Sequence, residues 1–319
     1  MFHPFARRAN LLRRSPHEIS APEVPLIVVV ALLGPALLLG AAFGWLVWRH
    51  PAWDPASARP AHRAATRVEE HLEERRGLAR RLGRRFDAST TTGLLLGLAL
   101  LVFVISGLVL GVLALVVRTH PGFLSFDRSL ENWGEQHATD FATWCMNRVT
   151  SLGSTGVLVV TTLAVFVVET IRRPSRWLPA FLVAVAIGQT LLSTGIKELV
   201  DRVRPTANPI AHTLGPSFPS GHTTGAAACF AAFALVLGRG RSRNVQSVLA
   251  GAAVFVALAV AASRVLLGVH WLSDVIGGLA LGWAWFAACS IAFGGRLLRL
   301  GAPVEAAERV AVVAGHDSG

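Results

Sequence analysis

Long unbroken apolar stretches, rather than an alternation of apolar and polar positions, dominate this chain. Seven of them lie at Val24–Trp48, Gly93–Val117, Gly156–Ile171, Trp177–Ile196, His222–Gly238, Gln246–Arg264 and His270–Ala292. About 17 to 25 consecutive apolar residues let a helix cross the hydrocarbon core, where every backbone polar group must be satisfied within the segment. Each run is therefore expected to be a membrane-spanning helix, and the fold class to be an all-α integral membrane protein. Val24–Trp48 is longer than the apolar part of a signal peptide and has no convincing cleavage site behind it, so it too is read as a spanning helix.

The polar connections decide the orientation. Arg172, Arg173 and Arg176 occupy one short connection, Arg239, Arg241 and Arg243 the next, and Arg296 and Arg299 follow the last run. Short basic connections mark the cytoplasmic side. The arginine-rich stretch between Arg49 and Thr92, with Glu69, Glu70, Glu73 and Glu74, has the acid-before-base spacing of a surface helix and is assigned to the same side. Alternation then leaves Arg118–Thr155, Lys197–Gly221 and Val265–Val269 on the outer face. It also places the N-terminal tail outside, although the tail carries Arg7, Arg8, Arg13 and Arg14.

Composition agrees with this reading: 53% of the 319 residues are hydrophobic and 15% charged, which excludes an ordinary soluble domain. The net charge of +11 comes from arginines beside apolar runs, which makes nucleic acid a poor partner and the bilayer the expected one. Cys145, placed in a loop, and Cys229 and Cys289, inside apolar runs, have no spacing that suggests zinc or a disulfide framework.

Three polar clusters fall at the ends of the later runs. Lys197 and Arg204-Pro205 share a face if the helix continues to the proline, and Lys197 is the sole lysine among 30 basic residues. The bland alternative is snorkelling to the interface, with Lys197 paired to Asp201. Pro219-Ser220-Gly221-His222 opens an apolar helix, where free amides and the helix dipole attract an anion. Alone it reads equally as an ordinary Ser/Gly helix start.

In the third cluster, Ser263-Arg264 precedes His270 and Asp274, which stand at i and i+4. A carboxylate there fixes the imidazole tautomer and frees the other ring nitrogen as nucleophile or base; the alternative is a structural His–Asp pair. Alternation brings all three clusters to one face. Cations, two histidines, an aspartate and a helix N-terminus gathered there describe a phosphate site, and no metal-ligand spacing competes with it.

At these residues the chain resembles the type 2 phosphatidic acid phosphatase family, whose signatures K-x6-R-P, P-S-G-H and S-R-x5-H-x3-D all occur in order between Lys197 and Asp274. The resemblance implies a six-helix transmembrane core over about 93–292 and a membrane lipid phosphatase. It implies that His270 attacks phosphorus, that Asp274 orients His270, and that His222 protonates the leaving oxygen. Lys197, Arg204 and Arg264 would hold the phosphoryl oxygens, with Ser220 and the Gly221 amide adding hydrogen bonds. Cations around the equatorial oxygens and a covalent phosphohistidine require no cofactor.

The expected organisation is thus an N-terminal extension, 1–92, with one hydrophobic helix at about 24–48 and a basic cytoplasmic segment; a catalytic domain, 93–292; and a cytoplasmic tail, 293–319. The extension departs from the six-helix pattern. The protein is expected to be multi-pass, in a bacterial cell membrane, with its site on the outer face. Undecaprenyl pyrophosphate, phosphatidate, phosphatidylglycerophosphate and a phosphorylated glycolipid precursor all offer a phosphate at headgroup level. The outer segment Arg118–Thr155, with Phe123, Phe126, Trp133 and Trp144, is placed to rest on the interface and contribute selectivity. Two rival readings are a catalytically silent lipid-phosphate binding or transport protein and a vanadate-dependent haloperoxidase relative. Both histidines are present, which opposes the first, and the spanning helices oppose the second.

Overall fold

A transmembrane segment cannot leave backbone groups to lipid, so its apolar runs must become helices. The structure, a computed structural model, describes residues 23–49, 91–119, 125–137, 139–205 and 215–297. In chain order these form α1 (Glu23–Arg49), α2 (Thr91–Thr119), α3 (Ser125–His137), α4 (Asp140–Ser151), α5 (Thr155–Arg172), α6 (Leu178–Val200), α7 (Gly221–Leu237), α8 (Arg243–Leu266) and α9 (Leu272–Leu297). There is no strand among the described residues. The protein is an all-α, multi-pass integral membrane protein: α2, α5, α6, α8 and α9 contain spans long and apolar enough to cross a bilayer, and α1 and α7 contribute shorter apolar stretches.

Helix α7 is the buried axis. Its run of small residues, Gly225 to Cys229, lets α5, α6, α8 and α9 approach closely. Its Phe233 and Val236 form one cluster with Leu178, Phe181 and Val185 of α6. Leu101, Val104, Ile105 and Leu108 of α2 are exposed, as residues that face lipid tails should be.

Helix α1 docks antiparallel on α8. A Cβ added at Gly40 would fall 2.7 Å from the Gly251 carbonyl oxygen, and one at Gly44 2.8 Å from that of Ser247. The two backbones therefore meet through small residues spaced four apart on each helix, the packing available where lipid offers no hydrophobic drive. Ser247 Oγ donates to the Gly44 carbonyl at 2.8 Å and Trp48 Nε1 to Asn244 Oδ1 at 3.0 Å. This contact puts the start of α1 at the same end of the bundle as the polar clusters.

At the arginine-rich end, Glu169 of α5 is fully buried and accepts from Arg172 and, at 3.0 Å, from Arg239 Nη2. Arg239 also reaches the Arg173 carbonyl at 3.0 Å, so one carboxylate ties the two basic connections together. A buried acid left without these cations would be costly, which makes the clamp mutually dependent.

The structure departs from the sequence expectations in four places. The segment expected as an outer loop contains two helices, α3 and α4, and Cys145 lies in α4 rather than in a loop. Both are amphipathic and short, so they carry no membrane-length apolar run. Helix α4 is capped by Thr139, whose hydroxyl accepts the Ala142 amide at 3.2 Å, and it buries Ala142 and Met146. Helix α6 does not continue to the proline: Asp201 adopts a left-handed conformation, φ 46°, and ends it. Lys197 is not paired with Asp201 but donates to the Pro216 carbonyl at 2.6 Å. His270 precedes α9 instead of belonging to it, because Gly268, φ 63°, turns the chain after α8. The arginine-rich stretch over 50–90, the N-terminal tail, Phe123, residues 206–214 and the tail beyond 297 lie outside the described residues.

Candidate active site

Five pieces of chain meet at one end of the bundle: the end of α6, the strap 215–220, the start of α7, the end of α8 and the start of α9. The strap is shaped by Gly215, φ 73°, and pinned by the Ser217 amide, which donates to the Arg202 carbonyl at 2.7 Å. Its carbonyls receive the cations. Lys197 Nζ donates to Pro216 O, and Arg204 donates through Nε to Gly215 O at 2.8 Å and through Nη1 to Val269 O at 2.8 Å. Neutral carbonyls orient these charges without cancelling them, so the positive charge stays available to an anion.

Arg264 approaches from α8 and is 8% exposed. Its Nη1 donates to Thr150 Oγ1 of α4 at 3.1 Å, whereas its Nε is buried with no hydrogen-bond partner among the described residues. A buried guanidinium N–H is a charge-assisted donor of the kind that suits an oxyanion. Helix α7 begins at Ser220, whose side chain makes no capping bond. The Ser220 hydroxyl accepts from Thr223 Oγ1 at 3.0 Å and keeps its own proton to donate. The first amides of α7, Gly221 included, are left uncapped by it, and with the helix dipole they favour negative charge.

His222 follows at the second position of α7, half-buried, within electrostatic reach of Arg264, Arg204 and Lys197. Its ring makes no hydrogen bond to a described residue, and its backbone is fixed from behind: a Cβ on Gly153 would fall 2.6 Å from the His222 carbonyl oxygen.

His270 and Asp274 complete the cluster. His270 Nδ1 lies 3.3 Å from Asp274 Oδ2. The same oxygen accepts the Trp271 amide at 2.9 Å and the Ser217 hydroxyl, while Oδ1 accepts Arg202 Nη1 at 2.6 Å. An ionised carboxylate only accepts, so Nδ1 is the protonated nitrogen. On the far side of the ring, Arg204 Nη1 is 3.1 Å from Nε2, and guanidinium only donates. Both neighbours therefore demand the same tautomer, with the Nε2 lone pair facing the cations. Burial pushes the His270 imidazole down to about 3, and the Arg204 and Arg264 charges add to that against the opposing pull of Asp274. Both effects favour the neutral ring.

All eight residues singled out from the sequence, Lys197, Arg204, Ser220, Gly221, His222, Arg264, His270 and Asp274, stand at this one end. Four participants had no motif to announce them. Arg202 lies inside the K-x6-R spacing and contacts Asp274; Ser217 bonds Asp274; and Asp127 and Ser273 bond Arg202 at 2.9 and 2.6 Å. The visible signal for Arg202 was a second arginine two residues before the first.

The model of the PAP2 superfamily matches residues 177–297. Over 173 residues, 53% of this chain, it is 34% identical to decaprenylphosphoryl-5-phosphoribose phosphatase of Mycobacterium tuberculosis, covering 78% of that protein. The chain belongs to the PAP2 superfamily. Other PAP2 relatives share shorter segments. Phosphatidylglycerophosphatase B of Bacillus subtilis is 38% identical over 97 residues, which is 29% of this chain and 46% of that one. Lipid A 1-phosphatase of Rhizobium johnstonii is 32% identical over 163 residues, 43% of this chain and 62% of that one. This PAP2 chain thus spans about half to three-fifths of these two relatives. The crystal structure of a transmembrane PAP2 type phosphatidylglycerolphosphate phosphatase from Bacillus subtilis superposes with a TM-score of 0.53 at 27% identity, over 59% of this chain and 94% of that one.

Proposed function

We propose that this PAP2 protein is a membrane lipid phosphatase that hydrolyses a lipid phosphate or pyrophosphate monoester through a phosphohistidine. The observation that carries the reading is the setting of His270: its Nδ1 lies 3.3 Å from Asp274 Oδ2 and its Nε2 3.1 Å from Arg204 Nη1, which favours the Nδ1–H tautomer with the Nε2 lone pair toward the cations. Nε2 forms the bond to phosphorus, and the ester P–O bond breaks. His222 enters the step as the imidazolium, gives its proton to the leaving oxygen and becomes neutral. Water, deprotonated by His222, then attacks phosphorus, and the P–N bond breaks to return neutral His270 and inorganic phosphate. Lys197, Arg204, Arg264, the Ser220 hydroxyl and the Gly221 amide hold the equatorial oxygens, where charge develops.

The proposed organisation is a catalytic domain over 93–292 preceded by an extension that adds α1. Its proposed place is a bacterial cell membrane, with the site on the outer face and a headgroup phosphate in the outer leaflet as substrate.

The decisive experiment is phosphate release by purified protein in detergent from undecaprenyl pyrophosphate, phosphatidate, phosphatidylglycerophosphate and a phosphorylated glycolipid. Turnover is expected with at least one of them, to persist in EDTA, and to stop with vanadate, which imitates the pentacoordinate transition state. Binding without turnover would support a silent lipid-phosphate receptor instead, and loss in EDTA restored by magnesium contradicts the metal-independent mechanism. For the orientation, a cysteine placed at Thr213 is expected to react with an impermeant probe in intact cells. Reaction only after the membrane is opened would turn the site to the cytoplasm.

A further inference from the structure

Helix α3 lies outside the residues matched by the PAP2 model, yet it reaches the centre of the site. Asp127, in its first turn, is 5% exposed. Its Oδ1 accepts the Ser273 amide at 3.0 Å, and its Oδ2 accepts the Ser273 hydroxyl at 2.6 Å and Arg202 Nη2 at 2.9 Å. The other nitrogen of the same guanidinium, Nη1, donates to Asp274 Oδ1 and to Ser273 Oγ, both at 2.6 Å. Arg202 is fixed from its flat face as well, with its guanidinium carbon 5.3 Å from the centre of the Trp271 ring.

Two buried carboxylates thus share one guanidinium. The fork geometry of arginine serves both at once, which a lysine ammonium does not. Removing that cation would take the shared guanidinium from two buried acids at once. Asp274 would then lose the contact that holds Oδ1, and with it the aim of Oδ2 at His270 Nδ1. We propose that Asp127 and Arg202 are positioning residues of the phosphatase: α3 sets Arg202, and Arg202 keeps Asp274 charged and directed at His270. The proposal rests on the reading of His270 as nucleophile and extends the catalytic assembly to a helix outside the sequence signatures.

A double-variant cycle tests it. Arg202→Gln is expected to lower kcat about 10- to 100-fold, the usual effect of removing the group that orients a reactive ligand or base, with KM nearly unchanged. Asp127→Asn retains an acceptor for the Ser273 amide but not the charge, and a smaller loss of the same kind is expected. In an Asp274→Asn background neither change should lower kcat by more than about twofold, because residues acting as one unit are non-additive. Thermal stability is read in parallel, and Arg202→Lys replaces Arg202→Gln if the latter does not fold. Losses that multiply with that of Asp274→Asn, or that appear in KM alone, overturn the proposal.

A second readout needs no turnover. In protein labelled with 15N histidine, and assigned against His270→Gln, wild type is expected to show the Nδ1–H tautomer at His270, and Arg202→Gln a mixture of tautomers. An unchanged tautomer in Arg202→Gln also overturns the proposal. Wild-type protein that releases no phosphate from any lipid defeats the phosphatase reading, while the tautomer measurement still decides the role of Arg202.

Discussion

His270→Ala is expected to release no phosphate from any ester, whereas the loss in His222→Ala is expected to depend on the leaving group. The nucleophile is required for every phosphoryl transfer. The acid matters in proportion to how badly the departing oxygen needs a proton, a contribution of about 100- to 10,000-fold for a poor leaving group. His222→Ala should therefore be nearly inactive on a lipid alkyl phosphate, yet recover part of the first step on an aryl phosphate, whose phenolate leaves unprotonated. Asp274→Asn should fall between the two: the ring stays in place, but the charge that selects Nδ1–H and stabilises the imidazolium is lost. Burst release of the aryl alcohol, measured with acid-labile phosphate on the protein, separates these outcomes. Equal losses in both histidine variants with both substrates would sink the role assignment, and a burst in His270→Ala would move the nucleophile elsewhere.

The second large effect is expected from a glycine that belongs to none of the three signatures. Helix α9 lies on α7 through Gly278 and Gly282, one turn apart. A Cβ at Gly278 would fall 2.8 Å from the Ser220 carbonyl oxygen and 3.0 Å from Thr223 Cβ; one at Gly282 would fall 2.6 Å from the Thr224 carbonyl oxygen and from Ala227 Cβ. Backbone atoms cannot swing aside as a flexible side chain does, so the two helices must part. Next to Gly278 the same contact seats the start of α7 on α9, since the Ser220 amide donates to the Asp274 carbonyl at 3.0 Å. Gly278→Ala is therefore expected to lower kcat/KM by about 100-fold or more, the loss that follows a displacement on the order of 1 Å in a reacting site. Gly282→Ala, one turn deeper, is expected to lower Tm in detergent more than activity, with an overpacking cost of about 1–3 kcal/mol. Wild-type activity in Gly278→Ala would show that the α7–α9 contact does not set the geometry of the site.

What could be read from the sequence alone follows from costs that act locally. An apolar run of membrane length has one affordable backbone conformation, so α1, α2 and α5 to α9 lie within a few residues of the runs that announced them. Alternation then sufficed to bring Lys197, Ser220, Arg264 and His270 to one end without any knowledge of packing. Spacing along the chain misled where the helix itself was at issue. Lys197 and Arg204 share a site although α6 stops at Val200, and His270 meets Asp274 from the turn before α9.

Only the tertiary structure decided how the site is held. The carbonyls of the strap that orient Lys197 and Arg204, the union of Asp127, Arg202 and Asp274, and the clamp of Glu169 on Arg239 join residues far apart in the chain. None has a period or a fixed spacing. Helices α3 and α4 are too short and too polar for the pattern that marks a spanning helix, and the buried roles of Asp127 and Thr150 arise only once those helices pack across the ends of α8 and α9. Hydrophobic patterning records what a segment must hide from its solvent; which polar groups then satisfy one another is settled by the packing that brings their helix ends together.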